Sequence, residues 1–321
     1  MLPPVNALPS VATRTVTETV GHAKRVWLTV KPRAHDPAGV AVAIGYIFLW
    51  ASAYVPSKVA SIESQPLWFL VVRFIVAGAL LALIARALGA RFPKTPRAWA
   101  VAVALGVLAN AAYLGFTYSA LQHHLSSGMG AIIASTNPLV LALVAPRILG
   151  EKLTRLKTAG LLLGFGGVVA IVLARAGSGT AAPVDVLLAF AGVCASVAST
   201  LLFKRAAVNE DLPALSAVQL FAAGLVLVPV AALLAGPPHV HLTGELVASF
   251  AYLVLVLSIG ATLMWFWLLT HGEASRVSAF YYLTPAFGLA LSALLLHEAV
   301  HARDLIGLGA IAAGIALVQR A

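Results

Sequence analysis

The sequence predicts an all-α membrane protein in which ten transmembrane helices form two inverted five-helix repeats. Three observations carry this. Of the 321 residues, 61% are hydrophobic and only 10% charged, and the mean hydropathy of +0.96 is far above that of a water-soluble chain of this size. The apolar residues fall into ten runs, each near the roughly 20 residues that a helix needs to cross hydrocarbon. A gapless shift of 147 residues lays Pro138 on Pro285, Glu151 on Glu298, Gly160 on Gly307 and Gly167 on Gly314.

Residues 1–35 are of mixed polarity and carry Lys24, Arg25, Lys31 and Arg33 without the apolar core of a signal peptide. They read as a disordered, basic cytoplasmic tail. The apolar runs then follow at 38–58, 66–86, 98–119, 127–148, 155–175, 183–203, 213–235, 246–269, 277–297 and 303–320. Gln65-Pro66, Phe92-Pro93-Lys94, Gly177-Ser178-Gly179 and Gly236-Pro237-Pro238 break the chain between runs. Lipid cannot satisfy a free backbone amide, and strands would be half this length and alternating, so the runs are helices.

Positive charge orients them. With the N-terminus inside, 17 Lys and Arg residues fall on inner segments and only Lys58, Arg175 and Arg303 on outer ones. An even number of spans returns the C-terminus to the cytoplasm, which predicts a multi-pass protein of the inner (plasma) membrane. The net charge of +10 thus reflects topology, since no basic run with interleaved aromatics points to nucleic acid. The single cysteine, Cys194, lies in an apolar run and permits no internal disulfide.

The repeat also pairs Gly45 with Gly192, Leu121 with Leu268, His124 with His271 and Lys58 with Arg205. It divides the chain into 36–176 and 177–321, with five spans each. Five is odd, so the second copy enters the membrane upside down, an arrangement typical of secondary transporters. Charge agrees: Lys152, Arg155 and Lys157 follow Glu151, whereas only Arg303 follows Glu298.

Candidate binding residues lie within the spans. Arg73 is an ionisable residue well inside one, where a cation costs several kcal/mol unless partnered; it either meets a substrate carboxylate or anchors structure. Trp50 and Tyr54, one turn apart, share a helix face. Tyr113, Trp265, Tyr281 and Tyr282 add aromatic surface, suited to a pocket for a small organic solute. Asn110 and Asn137 place amides in the third and fourth spans. Pro138 and Pro285 each remove a helical hydrogen bond at matching points of the two halves, a pointer to a midplane site. Glu151 and Glu298 sit at helix-to-helix corners, where they are expected to hold the fourth–fifth and ninth–tenth hairpins locally. The glycines of the fifth and tenth spans offer smooth faces for packing or for a homodimer contact. No Asp or Glu falls at mid-membrane depth.

One stretch offers a different chemistry. His297-Glu298-Ala299-Val300-His301 matches H-E-x-x-H, in which two histidines hold zinc and the glutamate activates water. This would make the chain an intramembrane zinc metalloprotease. The matching stretch Gly150-Glu151-Lys152-Leu153-Thr154 has the glutamate without either histidine, so the glutamate needs no zinc to explain it. The favoured expectation has no catalytic residues, no resident metal and no cofactor.

The ordered set Leu49-Trp50-Ala51-Ser52, Lys58, Pro66, Arg73, Pro138, Glu151 and Gly160, then Pro285, Glu298, Gly307 and Gly314, resembles the EamA-type branch of the drug/metabolite transporter superfamily over residues 38–320. The resemblance implies a ten-helix carrier that exports amino acids, related metabolites or drugs by alternating access. It also implies that the first four and the sixth to ninth helices form the pathway. Where that family often has an aromatic residue in the sixth span, this chain has Ala195-Ser196-Val197-Ala198-Ser199-Thr200, which leaves the second wall of the pocket undefined.

Overall fold

A computed structural model of the chain describes residues 37–122, 133–134, 136–175, 182–207, 209–284, 287 and 302–321. The described residues are helical, with no strand beyond a single backbone bridge between Ser64 and Val240. The first span is split into α1 (Pro37–Ser52) and α2 (Tyr54–Glu63), and the second is α3 (Pro66–Ala87). The third begins as α4 (Pro96–Gly106), loosens into a π-helical segment (Val107–Ala112) and resumes as α5 (Tyr113–Gln122). Then come α6 (Asn137–Leu149), α7 (Arg155–Arg175), α8 (Pro183–Ala206) and α9 (Leu212–Leu234). The eighth span repeats the pattern of the third: α10 (Gly244–Tyr252), a π segment (Leu253–Ala261) and α11 (Thr262–His271). The ninth begins with α12 (Ala274–Ala279) and a 3-10 turn (Phe280–Leu283), and the tenth is α13 (Ala302–Arg320). Of the apolar stretches, Pro66–Ala87, Pro96–Thr117, Pro183–Ala206, Leu212–Leu234 and Gly244–His271 are long enough to cross a membrane outright.

Local chemistry sets these boundaries. Thr95 and Thr243 cap α4 and α10, their hydroxyls accepting from Ala98 N and Leu246 N at 3.2 Å. Gln65 caps α3 by accepting from Leu67 N and Trp68 N, and Pro66 follows at a position where no N–H is needed. Gly89 and Gly236, related by the 147-residue shift, close the second and seventh spans at φ 65° and 67°, a left-handed turn open to glycine at little cost. The break in the first span follows from Pro56, which has no N–H to offer the carbonyl of Ser52.

Two close crossings hold the halves together. α7 meets α13 with Gly160 against Gly314 and Gly167 against Gly307; a Cβ on Gly160 would sit 2.7 Å from the Gly314 carbonyl, and one on Gly167 2.7 Å from that of Gly307. The 147-residue shift exchanges these two contacts. α3 meets α9 with Gly78 against Phe221 and Gly224 against Ile75, and here a shift of 146 does the same. In both crossings an early residue of one helix meets a late residue of the other, so equivalent helices run antiparallel. The second repeat is therefore inverted with respect to the first. Of the glycines of α7 and α13 that the sequence offered for packing or dimerisation, Gly160, Gly164, Gly167, Gly307 and Gly314 are engaged within the chain, whereas Gly309 meets open space.

Lipid-facing positions are apolar and open, among them Leu83, Leu143, Leu187 and Ile306, each more than 60% exposed. Between the helices lie the buried rings of Phe74, Phe203, Phe266 and Tyr282.

Gly314→Ala puts a methyl within about 2.5 Å of the Gly164 backbone nitrogen and is expected to cost about 1–3 kcal/mol. Gly309→Ala, on the same helix with open space around it, is expected to be neutral or stabilising because alanine favours helix. Thermal melts of the two variants in detergent check the difference; equal melting temperatures would refute the crossing.

Candidate functional site

A central cavity of about 600 Å³ lies where the helices depart from regular geometry. The break in the first span contributes Ala53, the first π segment Ala109 and Asn110, the second Leu257, Ser258 and Ala261, and the 3-10 turn Tyr281. Irregular backbone at membrane depth is tolerated only when buried in protein or lining such a cavity.

One wall is aromatic. Tyr46 stacks on Trp50 (ring centroids 6.2 Å) and on Trp265 (5.3 Å), and Trp50 stacks on Tyr113 (6.4 Å). Tyr281 presents its edge to Tyr46 and Trp50 and tilts against Trp265 at 5.1 Å. The hydroxyls of Tyr46 and Tyr281 are 2.6 Å apart. The same array holds the outer half of the first span, as Ser52 bonds both the Leu49 carbonyl and the Tyr252 hydroxyl.

The opposite wall is polar. Arg73 is 8% exposed; its Nε donates to Ser258 Oγ at 2.9 Å, and its guanidinium lies 5.5 Å from the ring of Phe74. Hydroxyls of Ser196, Ser199 and Thr200 line the face contributed by α8, and Gln219 completes the lining from α9. Among the described residues the lining includes no Asp or Glu. Arg73 brings a guanidinium to this wall, in a setting where low dielectric strengthens any charge pairing.

Six of the residues expected from the sequence, Trp50, Arg73, Asn110, Tyr113, Trp265 and Tyr281, come together here. Asn137 stands behind the lining and donates to Ser196 Oγ at 3.0 Å. Tyr282 points away from the cavity and packs on α7, where Gly164 leaves room for its ring. The Tyr54 side chain, Pro285, His297, Glu298 and His301 lie outside the described residues. No group of three His, Cys, Asp or Glu able to hold a metal occurs among the described residues. Pro138 opens α6. Tyr46, Gln219 and Ser258 were not singled out by sequence, whereas the α8 hydroxyls lie in the stretch 195–200 that stands where relatives carry an aromatic residue. A polar stripe at positions 196, 199 and 200 of an otherwise apolar span was the available signal.

The two ends of the bundle are held differently. At one end Glu151 reaches across to the ninth span, accepting from Ala274 N at 2.7 Å, Ser275 N at 3.3 Å and Ser275 Oγ. The glutamate expected to hold its own hairpin instead caps α12, whose first amides are otherwise without helical partners. Beside it Lys157 Nζ, fully buried, pairs with Glu273 at 2.7 Å, Arg276 Nε reaches the same carboxylate oxygen at 3.1 Å, and Lys204 donates to the carbonyls of Leu269 and Gly272, both at 2.8 Å. At the other end the hold is backbone pairing: Gln65 N to His239 O at 3.1 Å and His241 N to Glu63 O at 2.8 Å. The cavity extends to Ser57 and Pro66, towards this second end.

A model of the EamA-like transporter family matches residues 37–173 and again 184–320. An uncharacterized transporter of Bacillus subtilis, YvbV, is 27% identical over 276 residues, covering 85% of this chain and 88% of its own. An uncharacterized inner membrane transporter of Escherichia coli, YedA, is 26% identical over 273 residues, with 84% and 87% covered. A "probable amino-acid metabolite efflux pump" of Salmonella typhimurium is 24% identical over 283 residues, with 85% and 92% covered. A crystal structure with 21% identity superposes with a TM-score of 0.74 over 86% of this chain and 94% of that one, and so shares the fold.

Burial raises the Glu273 carboxyl, but the hydrogen bond from Lys157 and the charges of Lys157 and Arg276 outweigh it and hold the group below its ordinary 4.5. A carboxyl lowered on folding contributes stability that is fully present above its unfolded value and is lost as pH falls through the folded one. Glu273→Gln should therefore melt below wild type at pH 7, and the gap should close as pH drops below about 4.5. A gap independent of pH would contradict the pairing.

Proposed function

The chain belongs to the EamA-like transporter family, and from that premise we propose that it is a secondary carrier of the inner membrane that exports a small organic metabolite by alternating access. The observation that carries the reading is the cavity: about 600 Å³, large enough for an amino acid or drug-like solute, with five rings on one wall and Arg73 on the other. An apolar or aromatic body fits against the rings. A carboxylate fits Arg73, a guanidinium in the lining that is oriented by its bond to Ser258. The name of the Salmonella relative, an amino-acid metabolite efflux pump, supports the same substrate class.

The two differently held ends supply the access states. The Glu151, Lys157 and Glu273 contacts and the reach of the cavity to Ser57 and Pro66 support reading this form as closed at the Glu151 end. The positive-inside pattern assigns that end, with both termini, to the cytoplasm. Alternation then consists in releasing this clamp while the opposite end closes, with the inverted repeats exchanging roles.

Two measurements test this. In proteoliposomes, Arg73→Ala is expected to lower the flux of a labelled carboxylate-bearing amino acid about tenfold or more, on the scale of a lost charged hydrogen bond, and Trp50→Ala to lower it by a similar factor through the lost aromatic surface; unchanged flux in both would remove the cavity from the pathway. In a Cys194→Ala background, single cysteines at Lys152 and Arg303 are expected to label from opposite sides of the membrane. Labelling from one side would overturn the orientation.

A further inference from the structure

The residue of the cavity whose chemistry is least explained by the fold is Gln219. It sits in α9 two turns after the helix start, is 0% exposed and lines the cavity. Neither its Oε1 nor its Nε2 has a hydrogen-bond partner among the described residues. Two unpaired polar atoms in a buried carboxamide each carry a desolvation cost that an aliphatic side chain of similar size would avoid. The backbone there is fixed, because Gly106 of α4 packs so close that a Cβ on it would fall 2.0 Å from the Gln219 carbonyl. The amide group therefore cannot leave the wall by shifting its helix.

Symmetry gives this residue a counterpart. The shift of 146 that exchanges the Gly78 and Gly224 contacts also carries Arg73 onto Gln219. Arg73 from the first repeat and Gln219 from the second thus line one cavity at the crossing of α3 and α9. The two differ in hydrogen-bonding character: a guanidinium only donates, whereas a carboxamide donates through its nitrogen and accepts through its oxygen. Together they offer donors for a carboxylate and, beside them, an acceptor for an N–H on the adjoining carbon.

We propose that Gln219 is a specificity-determining residue of the carrier: with Arg73 holding the substrate carboxylate, the Gln219 amide donates to that carboxylate and accepts from the neighbouring ammonium, so that the cavity distinguishes an α-amino acid from the corresponding acid without the amine. This rests on the reading of the cavity as the substrate site. A site built to hydrogen-bond a substrate group discriminates strongly against an analogue that lacks it, because its own buried polar groups are then left unpaired.

The test compares L-phenylalanine with 3-phenylpropionate, the same skeleton without the ammonium group, by the rise in melting temperature that each produces in the purified full-length protein in detergent. The wild type is expected to gain a few degrees from L-phenylalanine and distinctly less from 3-phenylpropionate at equal concentration. Gln219→Leu, freed of two unpaired atoms, is expected to melt at or above the wild type without ligand, to keep the 3-phenylpropionate shift and to lose the extra shift for L-phenylalanine. Gln219→Met, unbranched and of similar length, repeats the test if the leucine variant does not fold. A variant that keeps the preference for L-phenylalanine, a variant that loses both shifts together, or a wild type with no preference overturns the proposal. Counterflow of labelled L-phenylalanine in liposomes separates it from the transport reading. The expected shifts without counterflow would sink transport and leave the role of Gln219 standing, whereas counterflow with an undiminished preference in the variant would overturn Gln219 alone.

Discussion

In a bilayer every backbone amide needs a partner, and there is no water in the hydrocarbon to supply one. This constraint decides where the chain can depart from an α-helix. Four departures occur among the described residues of the spans: the break at Ala53, the π segments at Val107–Ala112 and Leu253–Ala261, and the 3-10 turn at Phe280–Leu283. All four line the same cavity. The π segments stand at corresponding points of the third and eighth spans, so the loosening of the helix was duplicated along with the fold. A widened turn re-aims side chains that a regular helix would direct elsewhere, and here it brings Asn110 and Ser258 to the cavity wall.

The scaffold is symmetric and the cavity chemistry is not. Trp50 and Tyr46 of the first span correspond, under the 147-residue shift, to Val197 and Val193 of the sixth. Rings therefore come from one repeat's leading helix, and hydroxyls of Ser196, Ser199 and Thr200 from the other's. The same holds for Arg73 and Gln219. Two copies of one backbone arrangement thus enclose a space whose lining differs between corresponding positions.

The spans, their inversion and much of the aromatic wall were legible in the sequence because each has a local signature: run length, charge asymmetry, and ring spacing on one helix face. What stayed hidden depended on contacts between distant segments. A gapless shift of 147 pairs Arg73 with Leu220, and the one-residue slip in the second and seventh spans conceals Gln219. Glu151 was readable as a corner residue, but its partners lie 123 and 124 residues away. Tyr282 reads as pocket surface because it is an aromatic residue within a span, yet the turn there sends it and Tyr281 to different places, Tyr281 to the cavity and Tyr282 to the notch left by Gly164. A π segment has no compositional mark that separates Val107–Ala112 from the apolar helix around it.

The contact between α7 and α13 has the geometry of a two-fold interface. Gly160 meets Gly314 while Gly167 meets Gly307, which is the pattern of an isologous pair, residue i on j and j on i. Within one polypeptide it reproduces what two separate five-helix chains, inserted in opposite directions, would make of the same surface. Self-complementarity of this kind is satisfied once and leaves no second copy of the surface free. What α7 and α13 turn outward is a different face, on which Leu162 and Ile306 stand beside the exposed Gly166 and Gly309, and a neighbouring chain approaching these helices meets that mixed surface while the seam itself is already closed.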